Sequence, residues 1–202
     1  MSFDYIKATA LTETALKSGV SVTDGMGQLL NFCATSFPNP AWESIRRIDF
    51  ENDLAKLRVW LEKVLTEEPP TPEINAFWFG LFNPILPNKQ PTCGLYISGS
   101  PRFSPEDESN EWAVLDDDSY LPKGRYAPSS ALQQIYELVK ANGVADIGEY
   151  VLCLGYTCLA VKAACRSISP KLLLGQGESR AIAAGFDSGD FIMIEGARTK
   201  ST

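Results

Sequence analysis

The sequence predicts an α+β fold, a single domain in which three or more helices pack on a mostly antiparallel sheet. Three observations point to it. Apolar residues recur at helical spacing in well-separated regions; branched and aromatic runs of strand length follow one another with no helix between them; and two such runs near the end are joined by a tight-turn sequence. The regular strand-helix alternation of parallel α/β folds is missing. The 202 residues suit one domain, read as a peripheral N-terminal helical segment over 1–40 and an α+β body over 41–202.

In chain order, residues 9–36 hold Leu11, Ala15, Leu29, Leu30 and Phe32 but are interrupted by Gly19, Gly25 and Gly27, which predicts one or two short helices. The segment 52–66 is a helix: Leu54, Leu57, Leu61, Val64 and Leu65 share one face, Asp49 or Asn52 caps the start, and Pro69 and Pro70 forbid continuation. "INAFWFGLF", 74–82, is apolar on both alternating faces and reads as a central strand. Residues 92–98 and 111–116 are expected as two more strands, joined by an acidic loop. A helix over 129–141 follows, with Pro128 suited to its first turn and Gly143 to its end. The 147–166 segment is a helix apolar nearly all round, hence buried. The hairpin 180–186 and 190–195 turns on Asp187, Ser188 and Gly189.

Composition narrows the function classes. The chain is 45% hydrophobic and 21% charged, the usage of a folded globular protein rather than a disordered one. Eighteen Lys and Arg against twenty-five Asp and Glu give a net charge of -7, which repels nucleic acid and anionic lipid alike. Neither is an expected partner. "MSFDYIKATALTE" matches no secretory or basic presequence, so a cytoplasmic location is expected. The apolar run Tyr150 to Cys165 falls short of the about 20 residues that span hydrocarbon, and it carries Lys162. Cys33, Cys93, Cys153, Cys158 and Cys165 form no C-x-x-C pair, so reduced core thiols are expected, with no disulfide, metal or cofactor.

The chain holds no histidine, which removes Ser-His and Cys-His catalysis and histidine metal sites. "GFDSGD" lacks the glycine two residues before Ser188 that a nucleophile elbow needs. "LLLGQGESR" has Arg180 where a dinucleotide fingerprint needs its third glycine. Cys158 sits in apolar surroundings that suppress thiolate formation. Asp116, Asp117 and Asp118 are contiguous and lack the spacing of a calcium loop. No catalytic residue is expected.

What stands out is "SPRFSPEDESNEWAVLDDDSY", 100–120, with seven carboxylates from Glu106 to Asp118 against one basic side chain, Arg102. It reads either as a solvated loop or as a recognition surface. Phe103, Trp112, Tyr120 and Tyr126 thread the same region, and interfaces join aromatic anchors to a charged rim. The second reading assigns partner contact to Glu106, Asp107, Glu108, Glu111, Trp112, Asp116, Asp117, Asp118 and Tyr120, with a basic protein as partner. Trp112 serves it as an interface anchor or, alternatively, belongs to the core of a strand.

"INAFWFGLFN", "LYISGS", "DESNEWAV" and "GFDSGDFIMI", together covering Ile74 to Ile194, resemble small uncharacterised bacterial proteins of the kind found beside polymorphic toxins as immunity proteins. The resemblance implies a cytoplasmic, noncatalytic α+β protein that neutralises a cognate toxin by occlusion, without fixing any contact residue. Two other readings stand beside it: a carboxylate-based enzyme or small-ligand binder using Asp116 and Glu111 with Arg102 or Arg125, and a structural subunit without independent activity. An exposed acidic surface favours the first; carboxylates converging in a deep pocket favour the second. The sequence leaves oligomeric state open.

Overall fold

The computed structural model describes residues 3–85, 91–106, 111–175, 177, 179–187 and 190–198, the last four of these as backbone. The chain opens with helices α1 (Tyr5–Ser18), α2 (Val22–Ser36), α3 (Ala41–Ile45) and α4 (Phe50–Glu67). Side-chain oxygens of Asp4, Ser21 and Asp49 accept from the backbone N–H groups of Lys7, Asp24 and Asn52, which would otherwise be left unpaired in a first turn. Gly19, at φ +70°, ends α1.

The first two helices are longer than the sequence suggests, and they are integral to the fold rather than peripheral. Met26, Leu29, Leu30 and Cys33 of α2 are fully buried in the main core. Gly25 does not break α2 but thins it: a Cβ there would lie 2.7 Å from Leu159 Cδ1, so the glycine permits a close helix crossing.

Strands β1 (Ala76–Phe82), β2 (Gly94–Ser100), β3 (Ser179–Phe186) and β4 (Phe191–Arg198) form one sheet in the order β2-β1-β3-β4. The outer pairs are antiparallel, while the central pair, β1 with β3, is parallel. The sheet is therefore mixed and mostly antiparallel, and the fold is α+β. The parallel pair demands a long crossover. Three helices make it: α5 (Ser130–Ala141), the long helix α6 (Ala145–Ser167, wound as a π-helix over Gly148–Cys153) and α7 (Pro170–Leu174).

At 23 residues α6 is longer than its apolar run and would suffice to cross a membrane by length and composition, but 83% of its most apolar stretch is buried inside the fold. All five cysteines are free and buried. The helices cover one face of the sheet, where Phe77, Phe79, Leu81, Leu95, Ile97, Ile182, Ile192 and Ile194 join the main core. The other face carries a second, smaller cluster of Ala76, Trp78, Tyr96, Ala183 and Trp112.

The expected strand over 111–116 does not form. Glu111–Ala113 is a single 3-10 turn. What pairs with the outer edge of β2 is the next segment: Tyr120 and Gly99 exchange N–H···O bonds of 2.8 and 3.0 Å, and Ile97 N and Ala127 N donate across the same edge to Arg125 O and Leu95 O. That edge is thereby capped.

Candidate partner-binding surface

The site begins with the helix-free face of the sheet. Its rows include small residues that leave room for aromatic rings. A Cβ on Gly185 would come within 2.7 Å of Trp78 Cη2, and one on Gly80 would overlap the Tyr96 ring. The Tyr96 hydroxyl donates to Asp187 Oδ1 at 2.7 Å, which fixes the ring. Burial first, then this carboxylate, raise the Tyr96 pKa and keep the hydroxyl protonated.

Onto this floor presses the acidic segment. Trp112 meets Trp78 edge-on at 5.8 Å between centroids and Phe103 edge-on at 5.1 Å. It is 2% exposed. Trp112 is thus an internal peg that attaches the segment to the sheet and does not present itself to a partner. Its partnership with Trp78 explains why "EWAVLD" looked like a strand: one deeply buried aromatic among alternating apolar residues gives the strand pattern without a ladder.

The lone basic residue of the stretch orders the rest. Arg102 Nη1 lies 2.9 Å from Asp116 Oδ2, and Nη2 donates to Val114 O at 2.6 Å. Asp116 Oδ1 in turn accepts from Ser119 Oγ at 3.0 Å and from Asp118 N at 3.2 Å, an Asx-type turn that projects the acidic run. Asn75 Nδ2 donates to Phe103 O at 3.0 Å and ties the start of the segment to β1. Tyr120 is half-buried, with its hydroxyl donating to Glu68 O at 2.7 Å. It is a structural tie between the segment and α4, not a free contact group.

What remains outward is acidic and apolar together. Glu106, Glu111, Asp116, Asp117 and Asp118 are exposed, while Asp107 and Glu108 lie outside the described residues. The Ser104 hydroxyl bonds to Glu106 and holds its carboxyl below the usual range, so it stays ionised. Beside them Val114 is 61% and Leu115 46% exposed. Asp117 and Asp118 border an open cleft of about 410 Å³ whose other walls include Glu68, Thr71, Tyr120 and Leu121. Sequence reasoning missed Val114 and Leu115 because it placed them in a strand. The available signal was their position directly before three aspartates, a charged run that favours an exposed turn.

Among the described residues the carboxylates do not converge on an enclosed pocket. Asp116 is engaged by Arg102 at the surface. Arg125 is stacked over Tyr126 at 4.8 Å and donates to Pro122 O. Burial pushes the thiols of Cys33 and Cys165 up to about 12 and raises that of Cys158, so they stay protonated. Among the described residues no group of three or more His, Cys, Asp or Glu side chains is placed to hold a metal. Comparison of the chain with protein-family models, with curated proteins and with solved structures finds no match.

Proposed function

We propose that this protein is a cytoplasmic, noncatalytic binding module that occludes a basic protein, in the manner of an immunity protein neutralising a toxin. The observation that carries the reading is the exposed Val114-Leu115 pair set against Asp116, Asp117 and Asp118 on a segment held from below by Trp112 and from the side by Arg102. An apolar pair supplies area to bury at an interface centre, and the carboxylates around it steer a cationic partner and repel an acidic one. Because residues 111–119 are already held by their own contacts, little conformational freedom is lost there on docking.

The test uses the protein encoded immediately upstream of this gene as the candidate target. Co-expression should rescue growth from that protein and yield a complex on co-purification. Val114→Asp with Leu115→Asp should abolish both while leaving the melting curve within about 0.5 kcal/mol of wild type, as expected for exposed positions. A complex that survives the double substitution undiminished would sink this reading.

A further inference from the structure

The two edges of the sheet are finished differently. The β2 edge is capped by residues 120–127, whereas the sheet ends on β4, which pairs with β3 alone among the described residues. Beside that edge runs a groove of about 650 Å³, with consecutive residues Phe191, Ile192, Met193 and Ile194 on one side and Glu13, Leu16 and Lys17 of α1 on the other. An apolar strand edge is a template for another strand, because its outward N–H and C=O groups lack ladder partners. Met193 is 44% exposed, and the first half of β4, "FIMI", carries neither charge nor proline to blunt the edge, the charged Glu195 and Arg198 falling in its second half.

We infer that β4 is the docking edge for a second copy of this chain, the two β4 strands pairing antiparallel across a two-fold axis into one continuous sheet. The charge of the rim selects this occupant. Glu13 and Lys17 lie one helical turn apart, 4.0 Å from each other, and are both exposed. A two-fold axis sets such an alternating pair against its own copy, Glu13 facing Lys17, so the rim is self-complementary. The same stripe of α1 continues at helical spacing through exposed Ala10 to Ile6, which is 86% exposed and gains cover only if another molecule lies alongside. Lys162, also at the groove, donates to Leu16 O at 2.6 Å and serves the end of α1.

Light scattering after size exclusion should give a mass about twice the 22.1 kDa of the chain, falling toward the single-chain mass on dilution over roughly 100 to 1 µM, where a micromolar dimer dissociates. Met193→Lys places like charges near one another across the new strand pair and should raise the dimer dissociation constant at least about tenfold. Glu13→Lys should do the same, and adding Lys17→Glu should restore the dimer. On the unmodified chain, hydrogen exchange of the β4 amides that do not donate to β3 should be slow when concentrated and fast when dilute. A single-chain mass throughout, or a dimer whose β4 exchange ignores concentration, would overturn the proposal.

Discussion

Asp53 shows how the fold consumes a carboxylate. It is 1% exposed and accepts five hydrogen bonds, from Ser129 Oγ, Ser130 N, Ser130 Oγ, Ala131 N and the Tyr156 hydroxyl, at 2.6 to 3.1 Å. It thereby fastens α4 to the positive end of α5 and to α6. Asp53→Ala would strand donors on two elements, α5 and α6, so the denaturant midpoint should fall by an amount equivalent to about 3 kcal/mol. Asp53→Asn should recover only part of this, because the new amide N–H₂ faces donors. Trp112 offers a complementary case. Trp112→Ala removes the peg beneath the acidic segment and should cost about 3 to 5 kcal/mol in a melt. Trp112→Phe should cost much less, since the buried Nε1 has no hydrogen-bond partner to lose among the described residues.

Helices α4, α5 and α6 were legible because their stripes or caps are local: Leu54 to Leu65, Leu132 to Val139, and the unbroken apolar run that becomes α6. Strands β1, β2, β3 and β4 were legible from branched and aromatic runs. The antiparallel hairpin of β3 with β4 was legible too, from its turn residues, whereas the parallel register of β1 with β3 was not, since it depends on a crossover that no short window contains. Gly25 misled for a physical reason: it looks like a helix breaker in sequence but sits where two helices touch, as does Gly148 inside the expected 147–166 helix. At Gly148 a Cβ would lie 2.5 Å from Val139 Cβ, an atom fixed by its own backbone. Gly148→Ala should therefore destabilise the protein by roughly 1 to 3 kcal/mol in equilibrium unfolding, despite the about 1 kcal/mol that alanine offers an open helix. Of the candidate surface, the carboxylates were readable as a run, but the roles of Trp112 and Tyr120 were not. Which face an isolated aromatic takes is decided by tertiary contacts, here Trp78 and the Glu68 carbonyl.

For the molecule as a whole, the net charge of -7 sets a long-range preference for basic partners, and Arg102 gives part of that charge a fixed shape. The half-exposed Arg102-Asp116 pair contributes little to global stability, so Arg102→Ala should leave the melt nearly unchanged while slowing association through a disordered acidic turn. The most direct test of charge steering is stopped-flow association with the upstream-encoded protein, comparing wild type with Asp117→Asn/Asp118→Asn. As ionic strength rises from about 0.01 to 0.15 M the screening length falls from about 30 to about 8 Å. The wild-type rate should then drop about tenfold or more, and the variant should be slower at low salt and flatter across the series. A wild-type rate indifferent to salt, and equal to that of the neutralised variant, would contradict the account and leave the acidic run as solvated surface.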